Sequence, residues 1–97
     1  MTPVALSDEA RDDLREAQAF YFAISPTLAA RFALEVDRAV RLIAESPTSW
    51  PPIGRELRRC LLNRFPYALV YRATETQARV IAVAHTRRRA RFWRGRR

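Results

Sequence analysis

The residues able to do chemistry are few, and most stand in one run near the C-terminus, Ala84-His85-Thr86-Arg87-Arg88-Arg89-Ala90-Arg91-Phe92-Trp93-Arg94. An imidazole closes an apolar stretch and is followed by guanidinium groups interleaved with two aromatic rings. Guanidinium neutralises phosphate and an aromatic face stacks on a base, so the combination suits a phosphate-bearing or acidic partner. The blander reading has Phe92 and Trp93 folding back to cap a small core, and the two readings are compatible. A lone His85 at a strand end fits a hydrogen-bonded structural role better than a general base.

Other catalytic devices are missing. His85 is the only histidine and Cys60 the only cysteine, which excludes a two-His metal site, a Cys-based metal site and a disulfide within the chain. A thiol enzyme would need Cys60 beside His85, whereas a strand cysteine is far more often a small core residue. With Gly54 and Gly95 alone, there is no phosphate-cradling loop. The carboxylates between Asp8 and Glu16 fall at solvent-facing spacings rather than as an inward pair. No metal and no cofactor are expected.

Charge is spread unevenly along the 97 residues, whose formal total is +8. Residues 1 to 50 hold five Arg against eight Asp or Glu, net −3, and residues 51 to 97 hold thirteen Arg against two Glu, net +11. Seven of the Arg lie from Arg87 onward, in a basic tail over 87–97. Such an end draws anionic partners. All eighteen basic residues are Arg, which codon bias explains as well as chemistry does.

The elements that must position this run can be read from periodicity. Residues 2 to 6 form a short extended start. Ser7, followed by Asp8 and Glu9, is an N-cap signal, and Ala10, Leu14, Ala17, Tyr21 and Ile24 make the stripe of a helix to about Ile24. Ser25-Pro26 starts a second helix, with Leu28, Phe32, Val36, Ala39 and Ile43 as its stripe and Pro47 as its stop. After the turn-rich stretch Ser46 to Gly54 the period becomes alternating. Leu57–Leu62 and Phe65–Ala73 read as strands about an Asn63-Arg64 turn, with Phe65, Tyr67, Leu69 and Tyr71 on one face. Ala78–His85 reads as a buried central strand. The order β-α-α-β-β-β predicts one α+β domain over 1–97, a helical hairpin on one face of a mostly antiparallel sheet. The opposite face and the tail are left for solvent or a partner, and truncation after Thr86 should leave a folded domain.

Taken in order, Arg58-Arg59, Arg64-Phe65-Pro66-Tyr67, Val70-Tyr71, Ile81-Ala82-Val83-Ala84-His85, Arg87-Arg88 and Trp93 resemble the RelE/ParE toxin superfamily, as does the hairpin with Ser25-Pro26 and Phe32. The resemblance implies the toxin of a type II toxin–antitoxin pair, of the kind known for plasmid stabilization. It would be neutralised by a cognate antitoxin whose acidic segment wraps it, and would meet operator DNA only through that antitoxin. RelE-like members cut messenger RNA on the ribosome and ParE-like members act on DNA gyrase. Where RelE-like nucleases carry an arginine before Val-Tyr, this chain has Ala68. Arg87 matches their second arginine, and the tail position of their tyrosine or histidine holds Trp93, whose indole cannot accept a proton.

The expectation is therefore a ParE-like inhibitor of gyrase that acts by binding. His85, Arg87, Arg88, Arg89, Arg91 and Trp93 are the target-contact candidates, and Arg58 and Arg64 the antitoxin-binding ones. The alternatives are a ribosome-dependent endoribonuclease using His85 and Arg87, and a degenerate toxin kept as the partner of a repressor. The acidic N-terminus reads as no signal peptide, and no run reaches the roughly 18 apolar residues of a membrane span, so a cytoplasmic location is expected.

Overall fold

A computed structural model of the chain describes residues 1–54, 56–87 and 92–97. Strand β1 (Val4–Leu6) leads into helices α1 (Asp8–Ile24) and α2 (Pro26–Glu45), followed by β2 (Leu57–Leu61), β3 (Tyr67–Ala73) and β4 (Ala78–His85). The Ser7 hydroxyl caps α1 by accepting the Ala10 N–H at 3.1 Å. Ser25 is the single residue between the helices. Its N–H closes α1 on Tyr21, and its hydroxyl accepts the Leu28 N–H to open α2. One extended residue thus reverses the chain, and the helices lie against each other as an α-hairpin.

The four strands form one mixed sheet in the order β1-β4-β3-β2. β4 pairs antiparallel with β3 and parallel with β1, so the most apolar strand is central, as its near-continuous run predicts. β3 begins at Tyr67 rather than Phe65. Arg64 sits at φ +67° and the Tyr67 N–H turns back onto Phe65 O at 2.8 Å, so Phe65-Pro66 belongs to the turn. Proline lacks the N–H a ladder would need there.

Ala10, Ala17, Tyr21, Phe32, Val36, Ala39 and Ile43 from the helices pack on Cys60, Leu69, Tyr71, Val80 and Val83 from the sheet. Both helical stripes reach this core except at the end of the first. Ile24 is exposed beside Phe20 and Phe22, because α1 runs on past the packed residues. The ladder between β3 and β4 slips at Val70/Tyr71, with Val70 opposite Ala82 and Tyr71 opposite Val80. Ile81 is the extra residue of a β-bulge, which lets Ile81 and Ala82 both reach the side of the sheet away from the helices.

That second face is not left for solvent or a partner: the tail covers it, as in the reading that folds Phe92 and Trp93 back onto the core. Val70, Ile81, Ala82 and Ala84 form a smaller core there, covered by Ile53 and Leu57 and by Phe92 and Trp93 of the tail. Four buried apolar side chains in the middle of a sheet need a cover, and the two aromatic rings supply one.

Candidate target-contact surface

His85 ends β4, half-buried, with its ring edge-on to Tyr67 at 5.1 Å between centroids. Its Nδ1 accepts the Arg87 N–H at 3.1 Å, which places the neutral ring's proton on Nε2. The ring is thus held as a packed, hydrogen-bonded residue that presents a donor. His85 and Arg87 share the wall of an open cleft of about 650 Å³ with Asp13, Glu16, Phe20 and Tyr67, where the C-terminal end of β4 meets α1. Arg88, Arg89 and Arg91 lie outside the described residues.

Trp93 stands apart from that cleft, stacked edge-on against Phe92 at 5.4 Å and packed on the second core. Beyond Phe92 and Trp93, the tail is held at Arg96 and Arg97. Arg96 bridges to Asp13 at 2.6 Å and donates to Ile81 O at 3.0 Å, with its guanidinium 5.0 Å from the centre of the Phe92 ring. Arg72 donates to Arg96 O and Arg79 to Arg97 O, both at 3.2 Å. Gly95, at φ +89°, is third in a turn closed by the Arg96 N–H on Trp93 O, a place that calls for positive φ and hence for glycine.

The two antitoxin candidates are not brought together. Arg58 lies within β2 and spends one guanidinium N–H on Trp50 O at 2.7 Å, pinning the segment before the strand. Arg64 lies in the turn after β2, on a second open groove with Arg31, Arg38 and Arg41 around Leu28, Leu34 and Phe65. That groove has a basic rim and an apolar floor, and Leu34 is among the most exposed large apolar side chains.

Residues 4–90 match the family described as ParE toxin of type II toxin-antitoxin system, parDE. The chain belongs to the ParE toxin family. Toxin ParE2 of Mycobacterium tuberculosis, from strains CDC 1551 / Oshkosh and ATCC 25618 / H37Rv, is in both cases 32% identical over 75 residues, covering 76% of this chain and 71% of the relative. A chain of the chromosomal ParDE TA system from P. aeruginosa has the same fold, with a TM-score of 0.76 over 88% of this chain and 96% of that one at 17% identity. As a ParE toxin the chain has an antitoxin as its partner class.

Two functional candidates in this ParE toxin escape a reading of the sequence. Asp13 counts there among solvent-facing carboxylates, yet its side chain is only 9% exposed, and it holds both Arg96 and the Val83 N–H, the latter at 3.0 Å. The reason is geometric. β1 is three residues long, so β4 outruns it, and the unpaired Val83 N–H needs an acceptor that α1 supplies. Glu35 on α2 takes a forked bond from Arg38, both contacts at 2.8 Å, and accepts the Asn63 N–H as well. The Arg38 hydrogen bonds, helped by that of Asn63, hold its carboxyl below the usual carboxylate range against the opposing effect of burial.

The remaining titratable candidates are core residues. Cys60 is wholly buried, and desolvation pushes its thiol up to about 11, so it stays protonated in the helix-facing core. Tyr71, pushed up to about 12 by burial, donates its hydroxyl to Pro47 O at 2.6 Å and ties the end of α2 to the sheet. Among the described residues no three metal-ligating side chains meet, and no helix is long and apolar enough to cross a membrane.

Proposed function

We propose that this toxin inhibits DNA gyrase by binding, through His85, Arg87, the three arginines Arg88, Arg89 and Arg91, and Trp93, and that a cognate antitoxin neutralises it. One observation carries the reading: the two ends of the Arg run are set by the fold, His85 and Arg87 at the cleft and Phe92-Trp93 on the second core. A basic run between two ends that the fold holds suits an acidic surface. The nuclease alternative finds little support. Ala68 is 2% exposed and offers no charge to a phosphate, and the Trp93 indole, half-buried against the second core, can only donate. Loss of two such groups, each contributing on the order of 10²-fold, leaves little ribonuclease chemistry.

The neutralising segment would be acidic and amphipathic, and it would reach operator DNA as part of the same antitoxin. The Arg64 groove suits it, with Arg31, Arg41 and Arg64 beside the Arg38–Glu35 pair around an apolar floor. The test of the target is a supercoiling assay with purified gyrase beside primer extension on translated mRNA. Loss of supercoiling without mRNA cuts is expected. Discrete mRNA cuts that vanish on Arg87→Ala, with supercoiling intact, would overturn the gyrase reading.

A further inference from the structure

Asp13 touches two parts of the molecule that the chain separates by most of its length. On one side its carboxylate lines the cleft with His85 and Arg87. On the other, Oδ2 accepts Arg96 Nη1 at 2.6 Å and Oδ1 accepts Nη2 at 3.3 Å, across 83 residues of sequence. The same Arg96 Nη1 donates to Ile81 O, the carbonyl of the bulge residue. Arg96 also stands against the Phe92 ring, and Phe92 against Trp93. Bulge, carboxylate, guanidinium and aromatic pair therefore make one connected contact. The Asp13 and Arg96 side chains are 9% and 20% exposed, so little solvent screens the pair.

We propose that Asp13 is a positioning residue for toxicity: through Arg96 it fixes Phe92 and Trp93 on the sheet and so sets the end of the Arg run that meets the target. The inference rests on reading that run as the gyrase-contact segment. Asp13 acts by holding the far end of the segment, while His85 holds the near end through the Arg87 N–H. The two anchors stand on the same strand, one at Ile81 and one at His85.

The test uses the full chain with Trp50→Phe, so that Trp93 is the only indole. The indole N–H of Trp50 is buried and finds no partner among the described residues, so phenylalanine removes no hydrogen bond described there. Asp13→Asn, Arg96→Ala and the double variant are compared by acrylamide quenching of Trp93 and by gyrase inhibition, with circular dichroism recording the folded fraction. The amide introduced by Asp13→Asn keeps an oxygen for the Val83 N–H and removes the charge together with the acceptor that faces Arg96 Nη2. Asp13→Asn is expected to raise Trp93 quenching about twofold and weaken inhibition about tenfold, the scale of a lost buried charge contact. Because the two residues act through one another, the double variant should be no worse than Arg96→Ala alone. Unchanged quenching, or an Asp13→Asn loss that persists in full in the Arg96→Ala background, overturns the positioning role. So does loosened Trp93 with undiminished inhibition. Should Asp13→Asn fail to fold, Arg96→Ala gives the same two readings from the more exposed partner. A parent chain that leaves gyrase untouched refutes the gyrase reading instead, and the quenching comparison then decides the anchor alone.

Discussion

Single residues carry two kinds of polar work here, and both can be measured. Glu35 joins α2 to the turn after β2 by accepting from Arg38 and from the Asn63 N–H. Its carboxyl is held low, so the stability it contributes is present above the ordinary carboxylate range and is lost as pH falls through its folded value. Glu35→Gln should destabilise the domain by about 1–2 kcal/mol near neutral pH, with the Arg38 partner half in solvent discounting the upper range for charged hydrogen bonds. Urea midpoints of the variant should fall less steeply than wild type between neutral and acid pH. An equal slope would remove Glu35 from the acid response. Cys60 makes the opposite case, a thiol pushed up to about 11 with no solvent access. It should resist alkylation at about pH 8 in the folded chain and react once urea unfolds it. Rapid labelling of native protein would mean that β2 opens locally.

At the scale of elements, the tail belongs to the fold rather than hanging from it. Phe92 and Trp93 lie over Val70, Ile81, Ala82 and Ala84, and Arg96 closes a partly buried ion pair, all of it after the last strand. Truncation after Thr86, which the strand pattern presents as harmless, therefore uncovers a small core and leaves Asp13 without its cation. Breaking such a pair alone is worth several kcal/mol, and uncovering the aromatic contacts adds to it. The truncated domain should melt about 10 °C or more below the full chain by circular dichroism, since each kcal/mol shifts a domain of this size by about 4–8 °C. An unchanged melt would show the second face to be stable without its cover. Loss of toxicity on truncation is accordingly a mixture of lost fold and lost contact, which is why point changes at Asp13 and Arg96 are the cleaner probes.

For the whole molecule, the asymmetry of charge becomes an asymmetry of surfaces. The groove beside Arg64 is lined by four arginines and one carboxylate, whereas the cleft beside Arg87 sets that arginine and His85 against Asp13 and Glu16. An acidic antitoxin segment should bind with an affinity that falls as salt rises. Arg64→Glu should weaken it about tenfold by isothermal titration, whereas Arg58→Ala should lower the melting temperature and leave the affinity near wild type. Arg58 is already engaged by Trp50 O, so its guanidinium is a brace within the domain. The reverse outcome, affinity lost at Arg58 and kept at Arg64, would move the antitoxin to the β2 side of the sheet.

The local elements were legible in the chain because each is specified by near neighbours: a capping serine before two acids, Ser25-Pro26 between two stripes, alternation in β3 and an unbroken apolar run in β4. The ordered motifs around Arg64, Val70-Tyr71 and His85 likewise carried the family, and residues 4–90 match it. What tertiary structure alone decided are contacts between residues far apart in sequence. Periodicity places Asp13 on a helix but cannot say that β1 ends early and leaves Val83 in need of an acceptor. Alternation cannot announce a bulge at Ile81, because one extra residue changes which side chains share a face without changing composition. The sequence leaves open that Phe92 and Trp93 fold back, but no local signal in it assigns Arg96 a partner. Only the buried carboxylate and the freed Ile81 carbonyl, brought together by the packing of α1 against β4, give Arg96 a reason to fold back.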